Sequence, residues 1–162
     1  MGHSFARRLS GFGCNVLAYD KYKTSSSDGY VKECAMEQIW EETDILSLHV
    51  PLTPETKGMV DMAYIKRFKK SLIVLNTARG EIVVLKDIAE LIANNEVRGA
   101  VLDVLENEKL STLTDIQRQA FNSLTESSNV ILTPHIAGWT FESHVKINVA
   151  LVSKIRSLLQ LK

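Results

Sequence analysis

Leu72-Ile73-Val74-Leu75-Asn76-Thr77-Ala78-Arg79 decides the fold: an unbroken apolar run, a short polar step, then an arginine. Two later stretches repeat the pattern. Ala100-Val101-Leu102 leads through Asp103 to Glu108, and Val130-Ile131-Leu132 leads through Thr133 and Pro134 to His135. Short apolar runs between helical patterns read as strands of a parallel sheet buried on both faces. In an open α/β sheet, ligands bind beyond the carboxyl ends of such strands. Arg79, Glu108 and His135 are therefore expected to meet at one crevice. A fixed cation, a carboxylate and an imidazole suit a carboxylate-bearing substrate that gains or loses a proton.

Outward from these runs, strand and helix patterns alternate. Ile45 to Val50 reads as a strand stopped by Pro51, and Asn15 to Tyr19 as a short strand ending at Asp20. Helices are expected over Met36–Glu42, Met62–Phe68 and Leu85–Asn94, the last with Ile88, Leu91 and Ile92 on one face. Thr114 to Leu124 reads as a helix with Asp115 in its first turn. A long helix is expected from about Phe141 to Leu161, and Phe5 to Phe12 reads as a helix end punctuated by Gly13. Lys21 to Gly29 reads as a surface loop. Alternation of this kind argues for βαβ units with right-handed crossovers, which put helices on both faces of a parallel sheet.

Bulk properties exclude several classes. The chain has 162 residues, 45% apolar and 23% charged, ordinary for a globular protein with a real core. Its 19 basic and 19 acidic residues balance, so no bulk charge points to nucleic acid or a membrane surface. No apolar run approaches the roughly 20 residues of a membrane span, and no signal-peptide pattern opens the chain. Cys14 and Cys34 have neither zinc spacing nor the number for a disulfide scaffold, which suits idle thiols in a reducing cytoplasm. His3, His144 and the Lys69-Lys70 pair read as surface residues.

One end of the sheet suggests a nucleotide. Gly2 opens a helical segment, and Asp20 ends a strand 18 residues later. In a dinucleotide-binding fold an acid about 20 residues beyond the glycine fingerprint accepts hydrogen bonds from the adenosine ribose. An Asp at a strand end is also a common turn residue. The full Gly-x-Gly-x-x-Gly motif is not in this sequence. Gly2 is either the third glycine of that motif or an ordinary N-terminal residue.

Four segments carry a resemblance. Asp44-Ile-Leu-Ser-Leu-His-Val-Pro-Leu-Thr-Pro-Glu-Thr-Lys-Gly58, Leu75-Asn-Thr-Ala-Arg-Gly80, Gly99-Ala-Val-Leu-Asp-Val-Leu-Glu-Asn-Glu108 and Thr133-Pro-His-Ile-Ala-Gly138 come in a familiar order. The chain resembles the NAD-binding domain of the D-isomer-specific 2-hydroxyacid dehydrogenases, among them phosphoglycerate, glycerate and D-lactate dehydrogenases, and most of all the phosphoglycerate type. The resemblance implies a Rossmann-type, doubly wound α/β sheet lacking its first strand. It implies residues 1–140 as the NAD-binding domain and 141–162 as a helix that returns to a substrate domain of about a hundred residues.

By the same resemblance, Arg79 grips the substrate carboxylate, for which its planar fork is suited. His135 is the acid/base, an imidazole with an unperturbed pKa of roughly 6.5. Glu108 bonds its other ring nitrogen, fixing the tautomer and favouring imidazolium. The implied cofactor is NAD, held by Gly2, Asp20, His49, Val50, Pro51, Thr56, Thr77, Ala78, Arg79, Asp103, His135 and Gly138. Within that set Asp20 takes the ribose, His49, Val50 and Pro51 line the adenine side, and Thr56 approaches the phosphate or ribose. Thr77, Ala78 and Asp103 lie toward the nicotinamide, and Gly80 permits tight backbone beside Arg79.

Departures from the family pattern carry expectations too. The family has prolines around its catalytic glutamate; here Asn107 precedes Glu108 and Lys109 follows it, so a looser loop is expected. Glu106 is a rival for the partner role. Trp139 either shapes the substrate pocket or packs on a domain interface. The apolar face of the last helix, Val145, Val149, Val152, Ile155, Leu158 and Leu159, serves packing or dimerisation. With the first strand absent, the strands ending at Asp20 and at Arg79 are expected to be open edges. The functional expectation is hydride transfer between NAD(H) and a small 2-hydroxy or 2-keto acid such as 3-phosphoglycerate. The parent would be a cytoplasmic homodimer, and this chain alone inactive. The alternative is a non-catalytic NADH-responsive corepressor module, since such relatives keep the same residues; formate dehydrogenase carries glutamine where Glu108 stands.

Overall fold

The computed structural model describes residues 1–22 and 29–160. In chain order the elements are α1 (Gly2–Leu9), β1 (Leu17–Ala18), β2 (Lys32–Glu33), α2 (Met36–Glu42), β3 (Ile45–Leu48), α3 (Met62–Ile65), β4 (Ile73–Asn76), α4 (Leu85–Ala93), β5 (Gly99–Leu102), α5 (Asp115–Glu126), β6 (Val130–Leu132) and α6 (Phe141–Leu158). Most of the expected loop from Lys21 to Gly29 lies outside the described residues. β2 is an addition to the expected strands: two polar residues carry no periodicity to read.

Every strand pair is parallel. β3-β4-β5-β6 form one sheet in sequence order, and β1-β2 form a separate pair. The register aligns the strand ends, with Leu48 opposite Asn76, Asn76 opposite Leu102, and Leu102 opposite Leu132. Each strand therefore releases its following loop at the same edge, as parallel connections require.

The open edges differ from expectation. The strand before Arg79, β4, is paired on both sides, and the sheet edges are β1 and β2 in the pair and β3 and β6 in the larger sheet. Ile45 on β3 is 60% exposed.

The core explains the strand identities. Leu72, Val74 and Leu102 of the sheet pack with Ile82, Ile88, Leu91 and Leu124 at 1% exposure or less. α4 turns Leu85, Ile88, Ala89 and Leu91 inward, as its apolar spacing demands. α5 begins at a capping box in which Thr114 and Gln117 satisfy each other's amides, and buries only Ala120 and Leu124. α6 starts with the same device at Thr140 and Ser143 but buries no residue. No helix is long and apolar enough to cross a membrane among the described residues.

Candidate active site

His135 and Glu108 meet beyond the ends of β5 and β6. Nδ1 of His135 lies 2.9 Å from one carboxylate oxygen of Glu108 and 3.0 Å from the other. Both side chains are 47% exposed, so water and small solutes reach them. His135 adopts φ +55°, a left-handed conformation that non-glycine residues seldom hold without support. The support is local: its amide donates to the Asp103 carbonyl at 2.8 Å and to the Thr133 carbonyl at 3.0 Å.

Asp103 provides the rest of that support. It is 4% exposed. One carboxylate oxygen accepts from the Thr133 hydroxyl at 2.6 Å and the Ile136 amide at 2.8 Å; the other accepts from the Ala137 amide at 2.9 Å. Burial acts to raise its pKa, but these donors, with a smaller contribution from His135, win and hold it below the ordinary carboxylate value. The ionised Asp103 thus clamps the 133–137 turn from which His135 projects.

The rivalry between the two glutamates resolves by direction. Glu106 turns away, accepting from the Leu85 amide at the start of α4 at 3.3 Å and from the Gln117 side chain at 3.4 Å. Glu108 faces the histidine. In place of the family's prolines, its loop carries side-chain hydrogen bonds. The Asn107 amide group bonds both the Lys109 amide and Thr112, closing the turn with side-chain hydrogen bonds.

Arg79 shares the edge. It follows β4, and its guanidinium donates to the Ala78 carbonyl at 2.7 Å. The fully buried Asn76 shapes the turn before it, donating to the Arg79 carbonyl at 2.9 Å and accepting from the Ala78 amide at 3.0 Å. Gly80 presses this turn onto the next loop: a Cβ there would lie 1.9 Å from the Leu105 carbonyl oxygen. The arginine loop and the glutamate loop are thus joined backbone to backbone. Thr77 is exposed and Ala78 half-buried on the same turn.

The other candidates gather at β1, β3 and α1. A Cβ on Gly2 would sit 3.1 Å from His49, so the start of α1 lies against the end of β3. The His49 ring also packs on Phe5 at 5.3 Å and contacts the Ser47 hydroxyl at 3.0 Å. Burial, with the N-terminal charge behind it, lowers the His49 pKa, so the ring is a neutral wall at pH 7. Asp20 accepts from the Tyr22 amide at 2.9 Å, shaping the turn after β1. Half-buried Val50 and exposed Pro51 follow β3, and the Thr56 hydroxyl donates to the Pro51 carbonyl at 2.7 Å. An ion pair between Lys21 and Glu55 ties the two loops together. Gly138 is exposed, with open space where a Cβ would point. Trp139 is 70% exposed and stacks edge-on with His144 at 5.4 Å.

This arrangement fits a dinucleotide. α1 has no side-chain cap and no acid in its first turn, which leaves its amide end open to an anion such as a pyrophosphate. A carboxylate, Asp20, stands just past the end of β1. No cluster of side chains suited to a metal ion occurs among the described residues.

Residues 1–137 match the model of the D-isomer specific 2-hydroxyacid dehydrogenase NAD-binding domain. The chain belongs to this family. Its cofactor is accordingly NAD. The dehydrogenase domain is 36% identical to a D-lactate dehydrogenase of Streptococcus agalactiae over 149 residues, covering 88% of this chain and 45% of the relative. It is 35% identical to a hydroxypyruvate reductase of Thermotoga maritima, covering 96% of the chain and 48% of the relative. Among solved structures, the Aquifex aeolicus D-lactate dehydrogenase complexed with NAD and lactic acid superposes with a TM-score of 0.87 at 29% identity, over 98% of this chain and 50% of that one. The domain thus spans about half the length of the curated relatives it matches. These relatives point to D-lactate and hydroxypyruvate types rather than to the phosphoglycerate type specifically.

Asn76, Thr133 and Asn107 escaped sequence reasoning. Asn76 and Asn107 bond within their own loops and Thr133 donates to Asp103 across the strand ends, and such single hydrogen bonds leave no spacing to detect.

Proposed function

We propose that this chain is the cofactor domain of an enzyme that interconverts a small 2-keto acid and its D-2-hydroxy acid. The observation that carries this reading is the contact of His135 Nδ1 with both oxygens of Glu108. Bound NAD supplies the hydride acceptor or donor. With Nδ1 committed to Glu108, Nε2 of His135 is the nitrogen that gives a proton to the carbonyl oxygen on reduction, or takes it from the hydroxyl on oxidation. Glu108 fixes the tautomer and steadies the charged ring. Arg79 exchanges its bond to the Ala78 carbonyl for a bidentate grip on the substrate carboxylate. Asp20 accepts from the adenosine ribose and, by repelling a 2′-phosphate, favours NAD over NADP. His49, Val50 and Pro51 wall the adenine side, Thr56 braces that turn, Gly2 opens the helix toward the phosphates, and Thr77, Ala78, Asp103 and Gly138 border the nicotinamide end.

The names of the relatives favour substrates of pyruvate or hydroxypyruvate size over 3-phosphoglycerate. The exposed apolar face of α6 supports residues 141–162 as the segment that packs on a substrate domain. A cytoplasmic homodimer is the assembly we assign to the full-length enzyme, and we expect this chain alone to bind NADH without turnover. The decisive experiment follows NADH consumption by the full-length enzyme over a panel of pyruvate, hydroxypyruvate, glyoxylate and 3-phosphohydroxypyruvate. His135→Ala serves as control and should slow turnover by about 10²–10⁴-fold. Equal rates in the control, or no turnover with any acid while NADH still binds, would refute the enzymatic reading and favour a binding module.

A further inference from the structure

We propose that Asn107 is the positioning residue that aims Glu108 at His135. The inference rests on the acid/base reading of that pair and concerns what holds the carboxylate in place. Among the described residues, the Glu108 backbone makes no hydrogen bond of its own. Its side chain is half exposed, so water competes for the carboxylate. What fixes it is the frame on either side. The Asn107 side-chain oxygen accepts from the Lys109 amide at 3.0 Å, a bond that reaches across Glu108. The Asn107 nitrogen donates to the Thr112 carbonyl at 3.3 Å and to its hydroxyl oxygen at 3.2 Å. Thr112 closes the ring: its hydroxyl and amide donate to the Lys109 carbonyl at 2.9 Å and 2.8 Å.

Both backbone groups of Lys109 are thus tied, one by Asn107 and one by Thr112. Glu108 is the residue enclosed between the ties. A proline would restrict this backbone through its fixed φ. Here the same restriction comes from one carboxamide that spends both its acceptor and its donor on the turn. The opposite half of the pair is held in a matching way, by Asp103 on the histidine turn.

The test reads the histidine ring and needs no turnover. Ring ¹⁵N shifts of His135 in the labelled protein report which nitrogen of the neutral imidazole carries the proton. Contact with Glu108 holds it on Nδ1. Asn107→Ala should shift the ring toward the Nε2-protonated form, lowering the ratio of the two forms about fivefold, the weight of one ordinary hydrogen bond. Asn107→Asp keeps the acceptor for the Lys109 amide and should restore part of the effect. Thr112→Val leaves Asn107 in place and should produce a smaller shift in the same direction, which keeps the inference testable if Asn107→Ala fails to fold. A folded Asn107→Ala protein with the original tautomer overturns the inference while leaving the pair intact. A Glu108→Ala protein with an unchanged His135 ring overturns the pair itself, and the inference with it.

Discussion

At the scale of single residues, Asp103 matters to the site as much as the residues that face it. Its ionised form accepts three hydrogen bonds from the turn that carries His135. Asp103→Ala leaves those donors without their partner and should cost about 1.5–3 kcal/mol at neutral pH, the range for hydrogen bonds to a charged group. The sign with pH follows from the lowered pKa. Stability from the ionised carboxylate is complete above its ordinary value of 3.8 and is lost as pH falls through the lower folded value. Urea unfolding of wild type and Asp103→Ala should therefore differ at pH 7 and converge under acid. A gap that stays constant with pH would mean the charge contributes nothing.

Two glycines of the site region make a sharper pair. A Cβ on Gly80 would meet only backbone, the Leu105 carbonyl at 1.9–2.0 Å and the Glu106 amide at 2.7 Å, whereas one on Gly138 would meet nothing within 4 Å. Gly80→Ala must push the glutamate loop away from the arginine turn and should cost about 3 kcal/mol or more. Gly138→Ala should melt like wild type. Thermal melts of the two side by side check this, and equal melting temperatures would contradict the packing.

At the scale of elements, the stretches that sequence could read were those with an apolar pattern of their own. α2 and β6 fall over the expected Met36–Glu42 and Val130–Leu132 because Ile39 and the apolar run leave little choice. β1 shrank from the expected Asn15–Tyr19 to Leu17–Ala18, since its sole partner, β2, spans two residues. β2 itself was illegible: Lys32 and Glu33 join the sheet through backbone bonds that any residue can make. The meeting of Glu108 with His135 was legible from their place after apolar runs, but the bonds of Asn76 and Asn107 within their loops and of Thr133 to Asp103 were not.

The two capping boxes offer a test at this scale. Thr114→Ala removes the cap of α5, whose Ala120 and Leu124 are buried, and should cost about 1 kcal/mol, or about 2–4 °C in melting temperature. Thr140→Ala removes the same cap from α6, which buries nothing, so only local fraying should follow. Melting curves separate the two. Equal losses would show α6 to be part of the cooperative unit.

For the whole molecule, the decisive asymmetry lies between a sheet with a buried core and a long helix that buries none of its residues. α6 runs for 18 residues, about 27 Å. It exposes Val149 at 64%, Val152 at 52% and Ile155 at 51%, adjoining turns of one apolar face. Surfaces of this kind drive association when left uncovered. Replacing Val152 and Ile155 together by lysine and glutamate should therefore leave the melting temperature within about 2 °C of wild type, because exposed sites far from the core change stability little. The same variant should sediment closer to a monomer at high protein concentration. If instead it melts well below wild type while sedimenting unchanged, the face is packed against the domain in solution. α6 would then belong to the fold rather than stand ready for a neighbour.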